Sequence, residues 1–176
     1  QFLYNNIQTS YTNELFRTDV LRPMQIPNIK DRLLNELSGG EMQRLWITYC
    51  LGKPAYIYLI DEPSACLDVE QRVITTKVIK RFIEHNHKIA FVVEHDMMMS
   101  VSLASSDTSQ IIVMTKEIDD EMNRVCIAEK PISFKNGINK FLKSLDITFR
   151  TESTYSKHSR PRINKLGSTK DREQKQ

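Results

Sequence analysis

The sequence is poor in cysteine and has no long hydrophobic run. Its three cysteines, Cys50, Cys66 and Cys126, are far apart and form no C-x-x-C pair, a pattern that predicts neither a disulfide framework nor a zinc or iron–sulfur site. The longest apolar run, 56–60, is far too short to cross a bilayer, and the first residues do not resemble a secretory leader. We therefore expect reduced thiols, no membrane partner and a cytoplasmic location.

Acidic and basic residues are unevenly distributed along the 176 residues, whose formal net charge is +3. From residue 150 to the end there are eight Lys/Arg against three Asp/Glu, so this stretch carries +5 and residues 1–149 carry −2. The composition, 40% hydrophobic and 27% charged, is that of an ordinary globular domain. We expect one domain followed by a basic arm. Because the sequence opens on Gln1 rather than Met, we also expect a piece of a longer protein.

Helical and strand patterns alternate along most of the chain. The apolar runs 56–60 and 89–93 are continuous, which is typical of parallel strands buried on both faces. Further strands are predicted at 111–114 and 125–128, and amphipathic helices at 70–84 and 137–145. The alternation predicts an α/β layered fold with a mostly parallel sheet, whose ligands bind at the carboxyl ends of the strands.

Helical segments are predicted between residues 11 and 52. Residues 11–36 fit two short helices broken by Pro23 and Pro27. A longer helix is predicted to follow Ser38, with Gly52 at its end. We expect core packing from Trp46 on this helix and from the three consecutive methionines 97–99.

Asp61 and Glu62 lie side by side where the first buried strand ends. Paired carboxylates at this edge of a sheet suit a magnesium ion, held by Asp61 through water, and an attacking water polarised by Glu62. Such residues also cap helices or pair with lysine. The apolar run that leads directly into Asp-Glu-Pro favours the chemical interpretation.

The second buried strand leads into Glu94, His95 and Asp96. An imidazole at the mouth of the same sheet can hydrogen-bond a terminal phosphate and respond to its loss after cleavage. A lone histidine is more often simply a residue at the start of a helix. The acidic pair on the neighbouring strand favours a functional role for His95.

The stretch Ser38, Gly39, Gly40 and Glu41 precedes a helical pattern. Ser38 and Glu41 have the spacing of a capping box. Glycine lacks the Cβ that keeps a ligand away from the backbone, and a helix N-terminus attracts anions. A Ser-Gly-Gly sequence alone is usually only a turn, so its specificity depends on the motifs that follow it.

The order of these motifs resembles that of the ATP-binding cassette (ABC) ATPases from residue 37 to 96. The resemblance implies a P-loop NTPase-like layered fold of the ABC type with a partial helical subdomain. It assigns 37–43 to the signature motif, 56–61 to Walker B with Asp61 on Mg²⁺, and 64–68 to the D-loop. Glu62 would be the catalytic glutamate and His95 the switch histidine. The nucleotide contacts implied are Ser38, Gly39, Gly40, Glu41, Gln43 and Asp68.

Longer strings resemble the second cassette and closing hinge of one subfamily, the ribosome-recycling or RNase L inhibitor ATPases of subfamily E. These strings are CLGKPA, YLIDEPSA, AFVVEHD, NKFL, ITFR and RPRINKL. The resemblance implies domains at 1–36 (partial helical subdomain), 37–149 (cassette) and 150–176 (hinge or tail). It assigns the basic hinge residues Arg160, Arg162 and Lys165 to contacts with ribosomal RNA.

The same resemblance implies ATP-driven splitting of ribosomal subunits and support of translation initiation. ATP and Mg²⁺ would be the cofactors, and the iron–sulfur clusters of the family are not carried by this segment. The implied partners are the first cassette of the same protein, the small ribosomal subunit with its RNA, and release and initiation factors.

The chain lacks the phosphate-binding loop G-x-x-x-x-G-K-[ST]. Gly52 and Lys53 are followed by Pro54, and the position five before Gly52 is Ile47. By resemblance, the signature motif would serve a nucleotide held by the other cassette, and the Walker B residues one held by this cassette. We therefore expect two half-sites, and an isolated chain that binds ATP weakly or not at all and is inactive.

Three alternatives remain open at this point. The nucleotide-binding subunit of a membrane transporter uses the same motifs. The ATPase head of a chromosome-organising or DNA-repair protein also does, although residues 1–36 show no heptads. A non-hydrolysing ribosome-docking module would keep only the basic arm. Charged arms are often only solvated surface, and counterion release from phosphates favours RNA binding by this one.

Overall fold

A computed structural model describes residues 1–104, 109–118, 124–144, 149–151, 161–163, 167–169 and 172–173. The chain divides into two compact units, 1–103 and 104–176. The domain boundaries predicted after residues 36 and 149 stay predictions.

The first unit opens with a run of short helical segments. Helices α1 (Phe2–Asn6), α2 (Gln8–Thr12) and α3 (Glu14–Phe16) are followed by a π-helical turn (Arg17–Leu21) and by 3₁₀ turns at Ile26–Asn28 and Leu34–Glu36. The prediction of two short helices over residues 11–36 was wrong in number, because this stretch contains α3, the π-helical turn and both 3₁₀ turns. Polar residues divide the segment into short turns, as where the Asn13 side chain accepts a hydrogen bond from the backbone N–H of Phe16 and starts α3.

Longer helices alternate with strands in the rest of this unit. The elements are α4 (Gly39–Gly52), β1 (Ile57–Asp61), α5 (Val69–His85), β2 (Ile89–Val93) and α6 (Met97–Leu103). The predicted strands 56–60 and 89–93 and the predicted helix 70–84 are confirmed to within about one residue at each end. Among the helices that the structure describes, none combines the length and apolar character needed to span a bilayer.

Strands β1 and β2 pair in parallel, in a register that joins Ile57 to Ile89 and Asp61 to Val93. The backbone N–H of Glu62 continues the ladder by donating to the Val93 carbonyl at 2.9 Å. Both strands therefore end at the same level, and the residues that follow them meet at one edge of the sheet.

The two faces of this sheet differ sharply. Tyr58 and Ile60 are buried in a cluster with Leu51 of α4 and Ile79 of α5, whereas Leu59 between them is 75% exposed. On β2, the alternate residues Ile89, Phe91 and Val93 are exposed in the same way. The prediction of burial on both faces was wrong, because the described helices of the unit cover one face only.

The N-terminal segments belong to the same core. Val20 and Met24 are fully buried and share one cluster with Leu51 and Ile79. Burial of such side chains is worth roughly 2 kcal/mol each. The N-terminal segments are therefore held by apolar packing as far as Ile29, whereas residues 30–36 are exposed.

The expected core role of Trp46 was wrong. Its side chain is 45% exposed, and its ring packs edge-on at 5.6 Å from the Phe2 ring and 6.0 Å from the Tyr49 ring. Of the three consecutive methionines, Met99 is buried and Met98 is 79% exposed. One helical face cannot hold three neighbouring residues, since successive side chains are about 100° apart.

The second unit pairs its described strands antiparallel. Strands β3 (Gln110–Ile111) and β6 (Ile132–Ser133) form one pair, as do β4 (Met114–Ile118) with β5 (Arg124–Ala128), and β7 (Phe149–Thr151) with β8 (Pro161–Ile163). Helix α7 (Phe134–Ser144) starts three residues before its predicted bound. Among the described strands, only β1 and β2 run parallel, so the expectation of a mostly parallel sheet was wrong for this part of the chain.

Candidate functional site

The structure brings Glu62 and His95 together. The Glu62 Oε1 atom lies 3.0 Å from His95 Nε2, and both side chains are more than half exposed. They meet because β1 and β2 end in register, so that each residue begins the loop that follows its strand. A carboxylate and an imidazole in contact at an open sheet edge form a pair that can orient water and exchange a proton.

Two residues near this edge have left-handed backbone conformations. Glu62 has φ 43° and Cys66 has φ 59°, a region that residues other than glycine rarely adopt. Such strain persists only where the surrounding structure holds it. Around Glu62, the backbone N–H donates to Val93, and the carbonyl accepts from Ala65 N at 3.0 Å.

Ser38 and Glu41 form the predicted capping box at the start of α4. Ser38 Oγ accepts the Glu41 amide hydrogen at 3.3 Å, and Glu41 Oε2 accepts the Ser38 amide hydrogen at 2.9 Å. The Ser38 backbone hydrogen bond, and to a lesser extent the Ser38 hydroxyl and Arg32, lower the pKa of Glu41. With Ser38 Oγ serving Glu41, the amides of Gly39 and Gly40 are the remaining donors at this positive helix end.

Glycine is required at position 40 by a close approach. A Cβ built there would lie 2.9 Å from the Cys66 carbonyl oxygen, a backbone atom that cannot easily move away. At Gly39 the corresponding distance to Cys66 Cβ is 3.4 Å, an ordinary contact. The start of α4 therefore packs directly on the turn at 64–68, which we call the acidic-strand turn.

Gln43 connects the start of α4 to the acidic pair. Its Nε2 atom donates to the Glu62 carbonyl oxygen at 3.2 Å. The predicted nucleotide contacts Ser38, Gly39 and Gly40 thus share a helix with a residue bonded to the predicted catalytic glutamate. In this structure the Gln43 side-chain amide links α4 to the backbone at the end of β1.

Asp68 has a structural partner of its own. Its Oδ1 atom accepts the Gln71 amide hydrogen at 2.8 Å, which makes it the N-cap of α5. Capping by aspartate contributes about 1 kcal/mol. A nucleotide contact of Asp68 stays a prediction.

Three charged residues that support this edge of the sheet, Glu94, Asp96 and Arg72, were missed by reasoning from the sequence. Glu94 accepts hydrogen bonds from the acidic-strand turn, and Asp96 is paired with Arg72 of α5. The available signal was the run Glu94-His95-Asp96, in which three ionisable residues follow an apolar strand without interruption. Within this run, the predicted role is that of His95 alone.

Asp96 provides a test of the loop that carries His95. Its carboxylate accepts the Met99 amide hydrogen at 2.9 Å and pairs with Arg72, and these contacts, the Met99 bond first, lower its pKa. A lowered pKa gives stability that is present above the ordinary Asp value of about 3.9 and is lost as the pH falls through the folded-state pKa. We expect Asp96→Asn to cost about 1.5 kcal/mol of unfolding free energy at pH 7.

This cost should shrink as the pH is lowered below about 4, because Asp96 then takes up a proton in the unfolded chain while its lowered pKa keeps it ionised in the folded one. Urea unfolding at pH 7 and pH 3, followed by the fluorescence of the single tryptophan Trp46, measures the difference. Asp31→Asn is the matched control, since Asp31 is exposed. A cost for Asp96→Asn that does not change with pH contradicts the charge-based explanation.

Asp61 is exposed at the carboxyl end of β1. No group of three His, Cys, Asp or Glu side chains within the described ranges has the arrangement of a metal site. Magnesium, however, is usually held by one or two carboxylates together with substrate phosphates and water. Asp61 therefore fits as a single ligand in a site completed by a bound nucleotide.

Of the three predicted RNA contacts in the basic arm, the structure describes the backbone of one. Arg160 and Lys165 lie outside the described residues. Arg162 lies in β8, where its backbone pairs opposite Arg150 of β7. RNA binding by these three residues stays a prediction.

The chain is similar in sequence to a group of known proteins. The family model described as "ABC transporter" matches residues 5–65. The chain is 50% identical to "ABC transporter E family member 1" of Arabidopsis thaliana and 47% identical to "Translation initiation factor RLI1" of Saccharomyces cerevisiae. Each alignment spans 175 residues, which is 99% of the chain. The chain spans 27% of the length of each.

Solved structures agree with these relatives. The chain matches "RNase-L Inhibitor" with a TM-score of 0.79 and 40% identity, and an archaeal ribosome recycling factor in complex with ribosomal stalk protein with 0.79 and 41%. Each match covers 98% of this chain and 32% of the other. A putative metal-chelate type ABC transporter, 14% identical with a TM-score of 0.51, shares the fold alone.

Proposed function

This chain belongs to the RNase L inhibitor family, subfamily E, of the ATP-binding cassette ATPases, and on that premise we propose that it is part of a cassette that drives ribosome recycling. It carries what we call the catalytic edge, the end of the β1–β2 sheet where Glu62 and His95 meet. Its fold is the P-loop NTPase fold of the ABC type. The intact protein hydrolyses ATP to split ribosomal subunits after termination and supports translation initiation. It acts in the cytoplasm.

The contact between Glu62 and His95 carries this proposal. In the intact cassette Glu62 accepts a proton from the attacking water, and His95 donates a hydrogen bond to the terminal phosphate. Their 3.0 Å contact lets each hold the other in place before a nucleotide arrives. Asp61, the last residue of β1, would hold Mg²⁺ through water, and the ion would neutralise phosphate charge.

The start of α4 serves a second nucleotide. Ser38 and the Gly39 and Gly40 amides lie at an exposed, positively polarised helix end. They would close on ATP held by the first cassette of the same protein. Glu41 keeps this end folded through the capping box, and Gln43 connects it to Glu62.

The partners proposed follow from the relatives. One similar structure is a complex with a ribosomal stalk protein, and another is described as ribosome-bound archaeal Pelota and ABCE1, with a TM-score of 0.79. We extend the ribosome, its stalk protein and a Pelota-type factor to the intact protein as partners. The small ribosomal subunit is proposed in addition, from the family resemblance alone. The basic arm, 150–176, is the proposed RNA contact.

A chimera tests the function. This chain replaces the matching segment of the yeast relative, which is 47% identical to it, so that the rest of the protein supplies the phosphate-binding loop. We expect the chimera to hydrolyse ATP and to split ribosomes into subunits in sedimentation profiles. A chimera that is folded but splits no ribosomes contradicts the proposal.

A second candidate, a docking module without hydrolysis, rests on the net charge of +5 after residue 149. Co-sedimentation of the 176-residue chain with small subunits, compared with residues 1–149, distinguishes the two. Docking without ATP hydrolysis in the chimera favours the module. The weak ATP binding expected for the isolated chain is measured separately by calorimetry.

A further inference from the structure

One carboxylate ties both loops of the catalytic edge together. Glu94 Oε1 accepts the backbone hydrogen of Ser64 at 2.8 Å, and its Oε2 accepts the Ser64 hydroxyl at 2.9 Å and the Asp96 amide hydrogen at 3.1 Å. Hydrogen bonds to an ionised acceptor are stronger than those between neutral groups. Three such bonds converge on a side chain that touches neither Glu62 nor His95 in the described contacts.

The positions of these donors matter. Ser64 is two residues after Glu62, and Asp96 is the residue after His95. Glu94 therefore holds the backbone just beyond each member of the catalytic pair. Together with the Glu62–His95 contact, these bonds close a ring of interactions across the edge.

Arg72 provides a second tie to the same segment. Its Nε atom donates to the Leu67 carbonyl at 2.9 Å, and its Nη1 atom pairs with Asp96. The acidic-strand turn is thus fastened near its first residue by Glu94 and near its last residues by Arg72. Both ties lead to residues 94–96.

The turn contains a conformation that needs such support. Cys66 within it and Glu62 just before it have positive φ values. Ser64 is buried and Glu94 is half-buried, so water competes poorly for the bonds between them. Losing the tie would free the turn to relax and let Glu62 move away from His95.

We propose that Glu94 is a positioning residue, which sets Glu62 and His95 opposite each other by binding Ser64 and Asp96 with one carboxylate. This deepens the proposed function, on which its catalytic consequence rests. Glu94 itself transfers no proton and contacts no nucleotide. It makes the acidic-strand turn and the His95 loop a single body.

Hydrogen exchange on the 176-residue chain tests the tie without any reference to ATP. In Glu94→Ala the Ser64 and Asp96 amides lose their acceptor, and we expect their exchange to accelerate on the order of tenfold or more. Amides of Leu51 and Ile79 in the core should keep their rates, which separates a local effect from unfolding. Glu84→Ala, an exposed glutamate of α5, is the matched control.

A double-mutant cycle sharpens this result. Ser64→Ala removes one of the three bonds, so alone it should accelerate Asp96 exchange less than Glu94→Ala does. In the Glu94→Ala background it should add nothing, because the shared acceptor is already absent. Unchanged Ser64 and Asp96 exchange in Glu94→Ala, or full additivity, overturns the tie.

The ATPase of the chimera tests the catalytic consequence. Glu94→Gln keeps one acceptor oxygen and loses the charge, so we expect kcat to fall about tenfold with little change in KM for ATP. Equal kcat values, in a chimera whose wild type hydrolyses ATP, overturn the positioning role. If the wild-type chimera itself is inactive, the proposed function fails while the exchange experiment still decides the tie.

Discussion

Ile60→Ala is expected to destabilise the first unit by about 3 kcal/mol, whereas Leu59→Ala, one residue earlier, should change stability by less than about 0.5 kcal/mol. Ile60 is 7% exposed and packs in the core cluster, and Leu59 is 75% exposed on the opposite face of β1. The two variants remove similar apolar groups from the same strand. Only one leaves a cavity.

Urea unfolding followed by Trp46 fluorescence measures both changes, because Trp46 lies in the first unit and packs on Phe2 and Tyr49. The slope of free energy against urea should be the same for both variants if the unfolded state is unchanged. A large cost for Leu59→Ala would mean that the exposed face of β1 and β2 is covered in solution. Sedimentation of the chain would then show whether a second copy covers it.

Reasoning from the sequence located β1 and β2 well but misjudged their burial. A continuous apolar run predicts a strand covered on both sides, and the run at 56–60 is continuous. What the pattern cannot report is whether both covering layers are present. The chain spans 27% of its curated relatives, and the described helices of the first unit cover one face.

At the site, too, some features were predicted from the sequence and others were not. Glu62 and His95 were predicted to lie at the same edge of the sheet, and the structure places them there in contact, which the sequence did not predict. Their catalytic roles stay predictions. Glu94 and Arg72 were not predicted, because their roles depend on which loops the fold brings within hydrogen-bond distance. Sequence spacing of 30 residues between Ser64 and Glu94 carries no such information.

Glu62→Gln is expected to have the largest effect on function. The amide matches the carboxylate in size and can still bond His95, but it cannot accept a proton from water. We expect ATP hydrolysis at this site to fall by at least about 100-fold, with ATP binding preserved. The closed, ATP-bound cassette should then accumulate and leave the small subunit slowly.

The experiment uses the chimera with the catalytic glutamate of its first cassette already changed to glutamine. The remaining hydrolysis then belongs to the site that this chain builds. Glu84→Gln in the same background is the control, and its rate should equal that of the parent. His95→Ala should lower the rate less than Glu62→Gln does, because a phosphate hydrogen bond is lost while the proton acceptor remains. Parent-like hydrolysis in Glu62→Gln would exclude Glu62 as the proton acceptor, because glutamine has the same size as glutamate and cannot take up the proton.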